Sequence, residues 1–152
     1  MQKITPFLWF DNNAGAAVDY YTSIFKDSKV ISSSPGPDGN VQTATFELNG
    51  QQFIALNGGP EFPFTEAVSF FVSVETQDEV DYYWDSLTVG GGEESQCGWL
   101  KDKFGLSWQI VPTALGDMLG SPDREKAGRA LQAMLKMRKL DIAALKAAYE
   151  GA

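Results

Sequence analysis

Twenty aspartates and glutamates, one cysteine and no histidine bound the chemistry open to this chain of 152 residues. Histidine is the commonest general base and transition-metal ligand at neutral pH. Without it there can be no Ser–His–Asp or Cys–His nucleophile. A zinc site would need cysteine and carboxylates, and Cys97 alone is too few. Acid–base work falls to carboxylates, of which Glu61, Glu66 and Asp102 are the candidates, each set against an ordinary solvated surface role. A reactive thiol at Cys97 would need a neighbouring positive charge, for which Lys101 is nearest in sequence; the other reading is a buried structural cysteine. GGPEFPF (Gly58–Phe64) places Glu61 among two glycines, two prolines and two phenylalanines. Such a stiff, aromatic loop suits a lid, a rim or an interface wedge built on Glu61, Phe62 and Phe64.

These residues hang on a repeated series of elements. VDYY occurs as Val18–Tyr21 and again as Val80–Tyr83, 62 residues apart. KITPFLWF predicts a strand with Thr5, Phe7 and Trp9 on one face. DNN offers helix-starting residues, and AGAAVDYYTSIF predicts a helix with Ala17, Tyr21, Ile24 and Phe25 on one side. Residues 28–59 read as three strands with turns at Asp38-Gly39 and Asn49-Gly50. The order then recurs. AVSFFVSV is a strand, and TQDEVDYYWDSL a helix opened by a Thr76–Glu79 capping box, its apolar face Val80, Tyr83, Trp84 and Leu87. GGGEESQCGWLKDKFGLSWQIVP supplies up to three short strands. With a two-residue gap before the helix the tetrads coincide, and NGQQFIALN lies over FGLSWQIVP. The chain is a tandem repeat of a strand–helix–three-strand unit.

The remainder is helical. Thr113–Leu119 is one turn or two. Ser121-Pro122 predicts a helix start, with Ala127, Leu131, Met134 and Leu135 as an apolar stripe. Asp141 predicts the cap of a last helix, with Ile142, Leu145 and Tyr149 inward and an end near Gly151.

Net charge is −8, which argues against nucleic acid as a partner, since affinity there comes from neutralising phosphates. The charge is uneven: residues 1–120 carry 5 Lys/Arg against 16 Asp/Glu, and residues 121–152 carry 7 against 4. The basic tail either binds the acidic body or a second copy, or is a solvated helix face. The apolar run near the start stops at Asp11, too short for a signal peptide or a membrane span. With a single cysteine, the expectation is a cytoplasmic protein with no membrane partner.

Two such units resemble the vicinal oxygen chelate superfamily, the fold of glyoxalase, bleomycin-resistance and extradiol dioxygenase proteins. Within it they are similar to the PhnB-like branch, which carries the 3-demethylubiquinone 3-methyltransferase name. PFLWFDNNAGAAVDYYTSIF, LNGGPEFPFTEAVSF and above all QCGWLKDKFGLSWQIVP (Gln96–Pro112) carry the resemblance, over most of residues 4–112. It implies an α+β fold in one domain over residues 1–152. Tandem βαβββ modules, near 3–58 and 66–112, would curve a mixed sheet around a cleft, with a helical extension over 113–150 and a homodimer completing the site. In metal-using members each unit gives one ligand from its first strand and one from its last. Carried across, these positions are Thr5 and Ala55 in the first unit and Ser69 and Gln109 in the second. Hydroxyls, an amide and a methyl group cannot offset the dehydration of a divalent ion, so neither metal nor cofactor is expected.

In such a cleft Thr5, Ser69 and Gln109 would hydrogen-bond a small polar ligand, or else pair with one another or with water. Period-two spacing puts Phe7, Trp9, Phe53 and Phe71 on the inward faces, as the wall of a ligand site or as plain core. Asn57 would stand at the rim, and Trp108, alternating away from Gln109, under a helix. No Gly-rich strand-to-helix loop with a downstream acidic residue is present to hold a nucleoside cofactor, so the methyltransferase name has no support in these residues. The expected function is metal-free binding of a small molecule, with no catalytic residue assigned. The alternatives are a metal-independent lyase, isomerase or transferase acting on a small polar or aromatic substrate, with Glu61 or Asp102 as base and Gln109 and Ser69 as polarising donors, and an interaction module whose cleft is filled by its own side chains.

Overall fold

Asn49 and Gly50 take positive φ angles of 49° and 87°, the pair of left-handed residues that a two-residue type I′ hairpin needs. In the computed structural model, which describes residues 2–152, they join β3 (Val41–Leu48) to β4 (Gln51–Asn57). Strand β2 (Lys29–Pro35) pairs antiparallel with β3, and β1 (Phe7–Phe10) runs parallel to β4, giving the order β1-β4-β3-β2. A parallel pair cannot be closed by a tight turn. Helix α1 (Ala14–Ile24) therefore begins the crossover and packs on β3 and β4. Its fully buried Tyr21 stacks on Phe46, which stacks in turn on Phe53, with centroids 6.4 and 5.4 Å apart.

The second unit repeats this plan. Strands β5 (Ser69–Val74), β6 (Glu93–Glu94), β7 (Trp99–Lys101) and β8 (Ser107–Pro112) pair in the order β5-β8-β7-β6, again with first and last strands parallel. Helix α2 (Gln77–Thr88) packs on β7 and β8 through a face that buries Val80, Trp84 and Leu87. The boundary falls between Phe64 and Thr65, and the second unit runs to Ala152. The identical topology of the two sheets explains the duplicated VDYY: Val18 and Val80 are both buried. Tyr83 is only half-buried, and that burial is the main reason its phenol pKa is raised. The Thr76 hydroxyl accepts from Glu79 N–H at 3.1 Å, as the capping box requires. The return bond is shifted by one residue, because Glu79 Oε1 accepts from Glu75 N–H.

Helices α3 (Thr113–Leu119), α4 (Arg124–Met134) and α5 (Ile142–Glu150) complete this unit around Val111, Leu115, Met118, Ala130, Leu140 and Leu145. Two details differ from the expectation. Helix α4 starts after Asp123, whose carboxylate accepts from Lys126 N–H, and not at Ser121-Pro122. Ser121 instead accepts from Asp123 N–H and from the Tyr149 hydroxyl. The buried face differs as well: Ala127 and Ala130 are buried, while Leu131 and Leu135 are exposed. Asp141 does cap α5, and Gly151 ends it with φ 82°. No helix among the described residues is long and apolar enough to cross a membrane.

Candidate functional site

In the first unit, strand register decides which side chains share a face. Phe7 pairs with Ile54 and Trp9 with Leu56, whereas Leu8 pairs with Ala55 and Phe10 with Asn57. Leu8, Phe10, Phe53 and Ala55 are buried on the side that α1 covers. Phe7, 55% exposed, and half-buried Trp9 occupy the other side. The expected inward set is therefore corrected. Phe53 and Ala55 belong to the helix-side core, and the residue of β4 equivalent to Gln109 is Ile54. A shift of one residue reverses the face, which is why Ala55 cannot serve that position. Thr5, half-buried just before β1, keeps the parity of Phe7 and accepts a long 3.4 Å bond from Gln2 Nε2.

Asn57 is not a rim residue, since its amide clamps the unit. The Oδ1 accepts from Ala14 N–H at 2.8 Å, at the start of α1, and the Nδ2 donates to Val41 carbonyl at 2.7 Å. The Gly58–Phe64 loop folds over the edge strand β1. Trp9 Nε1 donates to Gly59 carbonyl at 2.8 Å, and Phe62 meets the indole edge-on with centroids 4.9 Å apart. Phe64 makes a similar contact with Phe10, at 5.2 Å. Phe62 is thus the outer element of the loop, 59% exposed, and Glu61 is exposed beside it.

The second unit brings polar groups together on the face away from α2. Gln109 Nε2 donates to Ser69 Oγ at 3.0 Å, so these two residues pair with one another, the alternative set beside ligand binding. Phe71, 59% exposed, pairs with Gln109, and Gln109 pairs with half-buried Trp99. The neighbouring row runs Ser69, Ser107, Lys101, Glu93 across all four strands. Lys101 Nζ lies 2.7 Å from Glu66 Oε1. This contact holds the Glu66 carboxyl below the usual carboxylate range, through the hydrogen bond from Lys101 first and its charge second. The Lys101 ammonium is raised, chiefly by the same bond. Val111, next on this face, belongs to the core of α3, α4 and α5, so the C-terminal helices close that end.

Ser107 also belongs to this face, beside Ser69 and Lys101, and was not among the expected residues. Its signal was simple parity, two residues before Gln109 on one strand. Asp102, a base candidate, is committed to structure. It is 2% exposed, its Oδ1 accepts from Phe104 and Leu106 N–H at 2.8 and 3.1 Å, and its Oδ2 accepts from the Trp108 indole at 2.9 Å. Trp108 is buried, as its alternation from Gln109 predicts. Cys97 is half-buried with φ 59°, its N–H donating to Met137 carbonyl at 2.8 Å, and the ammonium of Lys101 is engaged by Glu66.

This arrangement does not fit a divalent ion. In the second unit the first- and last-strand positions hold a hydroxyl and an amide bonded to each other, and in the first unit a threonine and an isoleucine. Hard cations are held by carboxylate-rich sets, and transition metals by imidazole or thiolate. Among the described residues no group of three or more His, Cys, Asp or Glu is placed to hold a metal. A nucleoside cofactor fits no better. The strand-to-helix connections are Asp11-Asn12-Asn13 and Glu75-Thr76, with no glycine to let a pyrophosphate or sulfonium approach the backbone.

Two tandem strand–helix–three-strand units, each with its first and last strands parallel, define a protein of the vicinal oxygen chelate class. Within that class the chain belongs to the 3-demethylubiquinone-9 3-methyltransferase family, whose model matches residues 2–111. It is similar to a solved PhnB protein from Bacillus cereus that bears a provisional 3-demethylubiquinone-9 3-methyltransferase name. The two are 36% identical over 73% of this chain and 99% of that one, with a TM-score of 0.69. The fold is shared with the fosfomycin resistance protein FosX from Listeria monocytogenes, solved with Mn(II) and sulfate, at 18% identity over 72% and 92% of the chains and a TM-score of 0.51. A glyoxalase/bleomycin resistance protein from Albidiferax ferrireducens also shares it, at 9% identity over 73% and 98% with a TM-score of 0.50. No curated protein matches the chain.

Proposed function

We propose that the chain is a metal-free small-molecule-binding protein whose ligand lies on the second sheet, on the face away from α2. The observation that carries this reading is the pair of aromatic side chains, exposed Phe71 and half-buried Trp99, on either side of Gln109, whose amide is fixed by Ser69. Aromatic surface with a few fixed polar groups is the usual make-up of a ligand site. Asp102 already accepts three hydrogen bonds, which weakens the alternative of an enzyme using it as a base. A homodimer fits the exposed Phe7, Phe62 and Phe71 and the edge strand β2, exposed along its whole length, since such surface is commonly covered by a partner. A lone cysteine is in keeping with the cytoplasm.

A thermal-shift screen of metabolites and antibiotics tests the reading, because a ligand that binds only the folded state raises the melting temperature. Hits are expected to stabilise the native chain and to lose most of that shift in Gln109→Leu, which keeps the volume and removes the amide. Hits that stabilise both proteins equally would place the ligand elsewhere. A broad screen without hits would count against binding altogether.

A further inference from the structure

Ser107 Oγ is, among the described residues, a buried side-chain polar atom with no hydrogen-bond partner, and the residue is 1% exposed. Buried polar groups are almost always satisfied, and an exception calls for a reason. Ser107 lines a cavity of about 160 Å³ at the β6–β7–β8 side of the second sheet, a volume comparable to one that accepts a benzene-sized guest. Glu66, Glu93 and Glu94 share that lining with a single cation, Lys101, which is already bound to Glu66. Glu94 is engaged as well, since its Oε1 accepts from Trp84 Nε1 at 3.1 Å. The surplus of negative charge disfavours a carboxylate or phosphate guest and favours a cation. A metal ion lacks a donor set here. Trp99 offers an aromatic surface, which attracts organic cations.

Resting on the reading of this sheet as a binding surface, we infer that the cavity receives the ammonium end of a small organic amine. One ammonium N–H donates to Ser107 Oγ, and Glu93 balances the charge, Glu66 being held by Lys101. Ser69 neighbours Ser107 in register and holds Gln109, so the body of the ligand runs from the cavity towards Gln109 and Phe71.

The test is a titration of n-butylammonium chloride into the full chain, followed by amide and indole NMR shifts of Ser107, Lys101 and Trp99. Butanoate and 1-butanol serve as anionic and neutral matches. Saturable shifts centred on Ser107 are expected for the ammonium alone. Affinity should fall about tenfold or more in Ser107→Ala and in Glu93→Gln, and stay unchanged in Glu125→Gln, a carboxylate of α4. Ser107→Ala removes no hydrogen bond and should fold, and Glu93→Gln, on an exposed strand, gives an independent reading. Absence of ammonium binding, equal binding of butanol or butanoate, or unchanged affinity in both variants overturns the inference. Should butylammonium fail while a screened ligand still loses its thermal shift in Gln109→Leu, the ammonium assignment falls and the binding surface stands. Failure of both removes both.

Discussion

Replacing Asp102 by alanine should lower stability by roughly 3–5 kcal/mol, a large part of what a domain of this size possesses. The loss follows from three donors left behind: the N–H groups of Phe104 and Leu106 and the indole of Trp108, which converge on one buried carboxylate. Leu106 and Trp108 are 3% exposed, so water cannot readily replace the lost acceptor. Asp102→Asn should cost less, because one oxygen survives to hold the turn while the new NH2 group faces the indole N–H. Urea unfolding of the three proteins measures both values. A stabilising role predicts the order native, Asn, Ala. A base that only transfers protons would leave Asp102→Asn as stable as the native chain.

Gly58→Ala should cost roughly 2–3 kcal/mol, through overpacking and the contacts that Trp9 then loses. A Cβ at Gly58 would stand 2.3 Å from Trp9 Cε2 and 2.5 Å from Cζ2, well inside contact distance. The indole would have to leave, giving up its bond to Gly59 carbonyl and its edge contact with Phe62. The Gly58–Phe64 loop would then lose its Trp9 contacts with β1 and keep those to Phe10. A double-mutant cycle with Trp9→Leu isolates the cause. Once the indole is gone, Gly58→Ala should cost little more. An equal penalty in both backgrounds would show that the glycine acts through something other than Trp9.

Much of the fold was legible because its signals are local. Asn49-Gly50 demanded a hairpin, Thr76 and Asp141 announced helix starts, and the two VDYY tetrads fixed the correspondence of the units. Face assignment was less secure, because strands have a period of two and an error of one residue inverts it. The superposition of NGQQFIALN on FGLSWQIVP already set Ile54, not Ala55, over Gln109 and Phe53 over Trp108, which alternates towards the helix, so both were legible in the sequence. The Asn57 clamp joins partners 43 and 16 residues away, and no spacing rule shows such a bond. Asp102 was partly legible: an aspartate three residues before Gly105 is a turn signal, but its bond to Trp108 depends on tertiary packing. Ser121 does not cap α4: its hydroxyl accepts from Asp123 N–H and from Tyr149, a partner 28 residues away that no local signal shows. Pairing of Gln109 with Ser69 was one of the two alternatives the sequence offered, and the parallel pairing of β5 with β8 decides between them.

Ligand binding without a metal is tested most directly by elemental analysis of the full chain purified without chelators, followed by thermal melts with added Mn(II), Ni(II), Fe(II) and Zn(II). A ligand set of hydroxyl, amide and hydrocarbon predicts no co-purifying metal and no rise in melting temperature with any of the four ions. A stoichiometric metal that stabilises the fold and is lost in Gln109→Leu would contradict it.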